Sequence, residues 1–317
     1  VWRKAVISYF KKFYQIYDMS NDEIINLAND NQLDIAVDLS GLTKYSRNEL
    51  FYNRVAPIQI NYLGYPGTSG LKSMDYILAD KNVIKENEKK YFTEKVYYLP
   101  KCYIPSVNDI SRKSSIKMCS RAEFNLPENK IIFCAFHNPL KINPDIFSVW
   151  MNILKKTKDS VIWIKANDDL ARENLKKEAQ KRGVVPDRLI FTKGVENIND
   201  HLKRLKLADI FLDTYPYNSH STVYDYLKTN LPMIIMEGNS FPSRVGSSIY
   251  TSIGLSELVA KNYLDYENIA VNLANDKSKL LKIKAKINIQ VEKNYLFNSK
   301  KFTLDLEDIY YKLSPKI

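Results

Sequence analysis

The sequence has few of the residues that most often carry metal or redox chemistry. Its 317 residues include three cysteines and three histidines. Cys102, Cys119 and Cys134 have no metal-binding or redox spacing, and no acidic cluster suggests a cation site. An odd number of unpatterned cysteines favours a reduced protein, so we expect a cytoplasmic location and no bound metal.

Long apolar runs, secretory signals and blocks of like charge are also missing. No run approaches the roughly 20 apolar residues of a membrane span, and we expect no membrane partner. Lys and Arg exceed Asp and Glu by 47 to 36, a net charge of +11, but the excess is spread along the chain. A basic nucleic-acid binder therefore stays an alternative that depends on charge alone, and we expect no nucleic-acid partner. The nine glycines form neither a dinucleotide fingerprint nor a P-loop.

The remaining composition is that of a globular protein, with 45% hydrophobic and 26% charged residues. Its length suggests about two domains. We place a first domain at residues 1–115 and a second at residues 116–317, because residues 101–127 lack periodicity. The chain opens with Val1 inside a helical pattern over residues 1–17, so we expect a fragment of a longer protein.

Strand patterns recur along both parts of the chain. We expect strands at residues 33–39, 58–63, 76–78, 96–99, 131–133, 161–164, 188–191, 210–212 and 233–236. In the second part they alternate with helical patterns, and the tail from Tyr266 onward is helical. This alternation predicts an α/β protein with a doubly wound parallel sheet.

Residues 208–225 are the most informative stretch. Residues 210–212 form a short apolar run, a break follows, and a helix is expected to begin near Ser219 or His220. A helix start presents unpaired N–H groups, and the hydroxyls of Ser221 and Thr222 add donors, so the stretch can bind a phosphate. The alternative is a helix that Ser219 caps for its own stability.

In an open parallel sheet, ligands bind outside the carboxyl ends of the strands. Three loops should meet there, with His137, Asn138 and Lys141 in the first, His201 and Arg204 in the second, and His220, Ser221, Thr222 and Asp225 in the third. Lys141 is suited to neutralise a phosphate, His201 to stack on a base, and Asp225 to accept hydrogen bonds from ribose. The alternatives are an ordinary exposed lysine, a packed histidine and a first-turn acid favoured by the helix dipole.

Many short motifs agree in order and spacing with one known family. The chain resembles the catalytic region of O-linked N-acetylglucosamine transferases, which are related to the plant SPINDLY-type enzymes. The matching motifs include Asp34-Ile-Ala-Val-Asp-Leu-Ser-Gly41, Leu63-Gly-Tyr-Pro-Gly-Thr-Ser-Gly70, Lys141-Ile-Asn-Pro144, Leu212-Asp-Thr214, His220-Ser-Thr222 and Leu258-Val-Ala-Lys-Asn262. The resemblance covers nearly the whole chain.

The resemblance implies a GT-B fold of two Rossmann-like lobes with C-terminal helices, the first lobe being incomplete. It also implies inverting, metal-independent transfer of N-acetylglucosamine from UDP-N-acetylglucosamine to Ser or Thr of an acceptor protein, with no cofactor. On this basis residues 1–115 belong to the acceptor-side lobe and residues 116–317 to the nucleotide-sugar lobe.

The resemblance further implies roles for the residues at the phosphate end of the site. The backbone and side chains of His220, Ser221 and Thr222 would bind the diphosphate. Lys141 would support the leaving phosphate as the catalytic residue, with Asn138 beside it.

At the base end, the resemblance implies that His201 stacks on uracil, that Arg204 lies near it, and that Asp225 contacts the ribose. A histidine in the His-Ser-Thr motif favours UDP-N-acetylglucosamine over the GDP-fucose used by SPINDLY-type enzymes.

The chain also departs from the family pattern. The tetratricopeptide repeats, which would supply acceptor recognition, and the start of the first lobe are absent. Leu42 lies where bacterial relatives have a histidine, and Ile198 where a ribose-contacting lysine is expected. The alternative is therefore a non-catalytic remnant that binds a UDP-sugar or a protein partner.

Overall fold

The computed structural model describes residues 2–106 and 119–314. These residues form two compact units. Unit 1 comprises Val1–Leu78, Glu88–Tyr97 and Asp308–Ile317, and unit 2 comprises Ala79–Asn87 and Tyr98–Glu307. The expected domain boundary at residues 115 and 116 lies outside the described residues and stays a prediction.

Unit 1 is built on a four-stranded sheet with strand order β1-β2-β3-β4. Its strands are β1 (Ile35–Asp38), β2 (Ile58–Asn61), β3 (Tyr76–Ala79) and β4 (Lys95–Tyr98). β1 pairs with β2 and β2 with β3, both in parallel. Two α-helices precede the sheet, α1 (Trp2–Ile7) and α2 (Asn21–Asp30). The expected strands are confirmed, with ends shifted by one or two residues.

The two helices of unit 1 differ in length and in what stabilises them. α2 begins with a capping box, in which the Ser20 side chain accepts from the Glu23 backbone and Glu23 accepts from the Ser20 backbone. The helix expected over residues 1–17 is wrong beyond Ile7. Phe10 and Tyr17 remain 57% and 86% exposed. Apolar spacing alone does not stabilise a helix whose apolar side chains stay largely exposed.

The glycine-rich turn at residues 63–70 is a tight corner of unit 1. Thr68 Oγ1 and Ser69 N donate to the buried carboxylate of Glu94 at 2.5 and 2.6 Å. Burial alone would raise the pKa of Glu94, but these hydrogen bonds bring the pKa below its ordinary value. A Cβ on Gly64 would lie 1.9 Å from the Leu39 carbonyl oxygen, so this backbone approach requires glycine.

Unit 2 is built on a six-stranded parallel sheet with strand order β10-β9-β8-β5-β6-β7. Its strands are β5 (Ile131–Ala135), β6 (Ser160–Lys165), β7 (Leu189–Thr192), β8 (Ile210–Leu212), β9 (Met233–Met236) and β10 (Val259–Ala260). The strands expected from the sequence are again confirmed, and the two-residue β10 was not predicted.

Helices follow most of these strands in the chain. They are α3 (Pro144–Lys156), α4 (Asp169–Lys181), α5 (Ile198–Leu205), α6 (Val223–Lys228), α7 (Val245–Ser252), α8 (Tyr263–Asn275), α9 (Lys277–Lys293) and α10 (Ser299–Leu313). The alternation produces the doubly wound topology that the sequence predicts. Within residues 2–106 and 119–314, the structure has no helix long and apolar enough to cross a bilayer.

The core of unit 2 connects its helices to the end of β8. Trp150 on α3 and Tyr266 on α8 are both fully buried. Trp150 Nε1 donates to the Tyr266 hydroxyl at 3.4 Å, and that hydroxyl donates to the Asp213 carbonyl at 2.9 Å. Two large buried side chains therefore fix the position at which β8 ends, directly below the loops at the carboxyl edge.

We expect Gly64→Ala to destabilise unit 1 by about 3 kcal/mol or more, because its Cβ would overlap backbone atoms that cannot rotate away. Gly70→Ala is the matched control in the same turn. Gly70 has φ +74° and no atom within 4 Å of its Cβ position, so alanine costs only about 1–2 kcal/mol of left-handed strain. Urea denaturation of both variants measures the difference, and equal losses would contradict the close contact.

Candidate nucleotide site

The sheet of unit 2 changes direction between β5 and β8. From β5 the chain proceeds outward through β6 and β7, and from β8 it proceeds the other way through β9 and β10. Loops leaving β5 and β8 therefore diverge at their carboxyl ends and leave a crevice between them. Ligands of open α/β sheets bind in such a crevice, and the loops that carry the predicted residues begin there.

The loop after β8 is organised by the buried side chain of Asp213. Its Oδ1 accepts hydrogen bonds from Thr214 N, Ser219 N and Ser219 Oγ at 2.9, 3.0 and 2.9 Å. Asp213 is fully buried, and burial raises its pKa to about 7 despite these donors. The carboxylate closes residues 214–219 into a compact turn.

His137, from the loop after β5, packs behind this turn. Its Nε2–H donates to the Leu212 carbonyl at 3.1 Å and lies 3.5 Å from Asp213 Oδ1. The ring packs edge-on against Phe211 at 4.9 Å between centroids. Burial lowers the pKa of His137 to about 3, so this imidazole is a neutral packed residue.

Lys141 and His220 are brought together through Tyr217. Lys141 Nζ donates to the Asn218 carbonyl at 3.2 Å and lies 4.2 Å from the centroid of the Tyr217 ring. His220 stacks on the same ring at 4.8 Å between centroids, with an interplanar angle of 21°. His220 Nε2 donates in turn to the Pro242 carbonyl at 3.2 Å. The ammonium of Lys141 therefore lies beside the turn that leads to the His-Ser-Thr motif.

The helix after this turn begins later than the sequence suggested. α6 begins at Val223, and Thr222 occupies its N-cap position without a side-chain capping bond. The expectation that Ser219 caps the helix is wrong, because its hydroxyl donates to Asp213. Ser221 and Thr222 form a preceding turn and are both exposed. Their backbone carbonyls accept from Tyr224 N and Asp225 N at 3.2 and 3.0 Å.

The second predicted loop joins the first through an aromatic contact. Arg204 Cζ lies 4.4 Å from the centroid of the Phe136 ring, and the His201 ring lies 6.2 Å from the same ring. Arg204 Nη1 donates to the Lys193 carbonyl at 2.7 Å, and its Nη2 lies 3.2 Å from His201 Nδ1. A guanidinium only donates, so Nδ1 accepts and the proton of neutral His201 is on Nε2.

Asn138 and Asp225 occupy less distinctive positions. Asn138 is exposed, and its side chain accepts from Leu140 N at 3.1 Å to cap the short turn Pro139–Lys141. Asp225 is half-buried in the first turn of α6. The structure places both at the same edge of the sheet as Lys141, and their binding roles stay predictions.

Three residues of this site were not singled out by sequence reasoning. Asp213 and Tyr217 lie inside the most informative stretch, but a strand-ending acid and an aromatic loop residue are common. The third, Asn143, accepts from the first turn of α3 and donates to the Tyr215 carbonyl at 2.6 Å. Only its position as an N-cap is visible in the sequence.

Comparison with known proteins agrees with this architecture. The family model of glycosyl transferase family 41 matches residues 2–110 and 106–306. A mutant O-GlcNAc transferase from Thermobaculum terrenum superposes with a TM-score of 0.88 at 24% identity, over 98% of this chain and 58% of that one. Trehalose-6-phosphate synthase OtsA superposes with a TM-score of 0.59 at 14% identity, over 94% of this chain and 76% of that one. The fold is thus that of the GT-B glycosyltransferases, as expected from the sequence.

Among curated proteins, the probable UDP-N-acetylglucosamine–peptide N-acetylglucosaminyltransferase SEC of Arabidopsis thaliana is 34% identical over 98% of this chain. The corresponding transferase of Caenorhabditis elegans is 28% identical over 87% of this chain. The chain spans 32% and 33% of the length of these relatives. It belongs to glycosyl transferase family 41, which confirms the resemblance.

Metal ligands are not grouped in the described part of the chain. Across residues 2–106 and 119–314, no three His, Cys, Asp or Glu side chains lie where they would share a metal ion. All three cysteines are free thiols. The cytoplasmic location and the absence of a cofactor stay predictions.

We expect none of the three imidazoles to titrate between pH 8 and about 5. Burial lowers the pKa of His201 and of His220 to about 4, and that of His137 to about 3. Each ring should then be neutral at physiological pH. A pH series of imidazole NMR spectra measures this, and the urea-unfolded chain, with midpoints near the ordinary value of about 6.5, is the control. A native midpoint above 6 would contradict the burial of that ring.

Proposed function

We propose that this chain is the catalytic part of a protein O-glycosyltransferase. It transfers N-acetylglucosamine from UDP-N-acetylglucosamine to Ser or Thr hydroxyls of an acceptor protein, with inversion and without a metal ion. The names of the relatives support transfer of N-acetylglucosamine from UDP-N-acetylglucosamine to a peptide. The observation that carries the proposal is the position of Lys141 Nζ, bonded to the carbonyl two residues before His220.

The phosphate end of the site supplies positive charge where the leaving group needs it. When the sugar leaves UDP, negative charge grows on the phosphate oxygens. Lys141 is half-buried, and burial lowers its pKa, so its ammonium is incompletely hydrated. Fixed donors that are not fully hydrated stabilise developing charge more than water does. Ser221 and Thr222 are exposed and follow the turn beside the Lys141 ammonium. We propose that they donate hydrogen bonds to the same phosphates.

The base end of the site has the groups that a nucleoside requires. We propose that His201 stacks on uracil, with Arg204 beside it, and that Asp225 accepts from the ribose hydroxyls. His201 is neutral because burial lowers its pKa to about 4, which favours stacking. Asn138 is proposed to lie near the phosphates. His220 supports UDP-N-acetylglucosamine as the donor over GDP-fucose.

A second candidate is a donor-binding remnant without transfer activity. It is favoured by Leu42 and Ile198, which replace a histidine and a lysine of the family pattern. Both candidates share the nucleotide site and differ in whether a hydroxyl reacts. Acceptor recognition by tetratricopeptide repeats, and the acceptor protein itself, stay predictions.

Loss of the proposed phosphate contact should weaken nucleotide binding. We expect Lys141→Ala to reduce UDP affinity by about 10- to 150-fold, the effect of about 1.5–3 kcal/mol for a hydrogen bond from a charged group. Lys279→Ala, at an exposed position on α9, is the matched control and should leave affinity unchanged. Titration calorimetry measures both affinities. A UDP affinity of Lys141→Ala equal to that of the wild-type chain would contradict the proposed contact.

A transfer assay distinguishes the active transferase from the donor-binding remnant. We expect incorporation of radiolabelled N-acetylglucosamine into lysate proteins, and we expect His220→Ala to abolish it, because its ring stacks on Tyr217 beside Lys141. UDP binding without incorporation would favour the remnant. The anomeric configuration of a labelled peptide product, measured by NMR, tests inversion.

A further inference from the structure

Lys165 is the last residue of β6, and it lies at the edge of the sheet where the nucleotide site is. Side chains two apart on a strand share a face, so Lys165 is on the same face as Trp163. The Trp163 ring packs against Phe136 at 4.8 Å between centroids. Phe136 in turn contacts the guanidinium of Arg204. Lys165 is therefore the edge residue of the face that carries the base-end groups.

This lysine is half-buried without a partner. In the described part of the chain its ammonium forms no hydrogen bond, ion pair or ring contact. Burial lowers its pKa, and the charge of Arg204 lowers it further. Its own charge contributes to the lowered pKa of His201, which indicates that the two groups are close. A partly desolvated cation beside another cation is costly, and such groups concentrate at functional sites.

Arg204 is likewise a buried cation without a carboxylate partner in the described part of the chain. It is 2% exposed, yet its partners in the described chain are a carbonyl, an imidazole nitrogen and an aromatic ring. Its Nε has no hydrogen-bond partner there. Two neighbouring cations therefore have no carboxylate partner in the described chain, and Lys165 is the one that is partly exposed.

The sheet topology places Lys165 two strands from the turn that follows β8, although its charge also lowers the pKa of Lys141 on the loop after β5. β6 is two strands away from β8, with β5 between them. Strands are about 4.8 Å apart, so the ends of β6 and β8 are separated by about 10 Å. The turn beside Lys141 follows β8, whereas His201 and Arg204 lie on the Phe136 side. The face that Lys165 shares with Trp163 leads through Phe136 to Arg204, so Lys165 belongs with the base-end groups.

We propose that Lys165 is a base-specificity residue that donates a hydrogen bond to the O4 carbonyl of uracil. This inference rests on the proposed function, since it assumes a uridine nucleotide in the site. An ammonium only donates. Uracil presents a carbonyl acceptor at position 4, where cytosine presents an amino donor. Lys165 would therefore favour uridine over cytidine nucleotides, and replacement of an acceptor by a donor leaves both groups unpaired.

The test compares UDP, CDP and uridine by titration calorimetry. We expect the wild-type chain to bind UDP at least about tenfold more tightly than CDP. Lys165→Met keeps the side-chain length but loses the donor, and it should reduce this preference to about threefold or less by weakening UDP. Uridine, which has no phosphate, should be weakened by a similar factor. Lys165→Arg retains a donor and should retain the preference.

Lys176→Met is the matched control, since Lys176 is exposed on α4, and it should leave all affinities unchanged. Equal weakening of UDP and CDP with no change for uridine would identify a phosphate contact and overturn the proposal. Unchanged affinities in Lys165→Met, or no UDP preference in the wild-type chain, would also overturn it. These outcomes leave the proposed function intact, whereas a wild-type chain that binds no UDP contradicts both.

Discussion

The candidate nucleotide site depends on one buried carboxylate. Asp213 accepts three hydrogen bonds within its own turn, and its backbone carbonyl accepts from Tyr266 in the core. A buried carboxylate is costly, as its pKa of about 7 shows. Without it, the donors of Thr214 and Ser219 would be buried and unpaired. The carboxylate thus determines the shape of the turn that places Tyr217 against Lys141.

Strand positions and the crevice were predictable because they follow from short-range patterns. Apolar runs alternating with helical spacing predict a doubly wound sheet, and a sheet of that kind fixes which loops meet. Side-chain partners were not predictable in the same way. Ser219 looks like an N-cap in sequence, but its hydroxyl is bonded to Asp213, six residues earlier. That choice depends on how the turn after β8 folds around the Asp213 carboxylate, which the sequence pattern does not specify.

Sequence patterns do not specify tertiary contacts, and this also explains the other differences between the predicted and the observed structure. Residues 8–17 have helical spacing, but spacing specifies a face and not what covers it. Lys165 was overlooked because a lysine that ends a strand is usually solvated. Its significance comes from the nearby charge of Arg204, and from the contacts of Trp163 with Phe136 and of Phe136 with Arg204 on the face that it shares. Sequence patterns identified the loops of the site, and the structure was needed to identify which charges lack partners.

The cations at the two ends of the site differ in what they can contribute to a transfer reaction. In the proposed reaction the uracil would have the same charge before and during transfer, so Arg204 and Lys165 would stabilise the bound donor and the transition state equally. Such uniform interactions improve binding but do not accelerate the chemical step. The leaving phosphate would gain charge in the transition state, so Lys141 would stabilise that state more than the ground state. Under this proposal, specificity and rate would depend on different strands of the sheet, β6 and its neighbours for the base and the β5 and β8 loops for the leaving group.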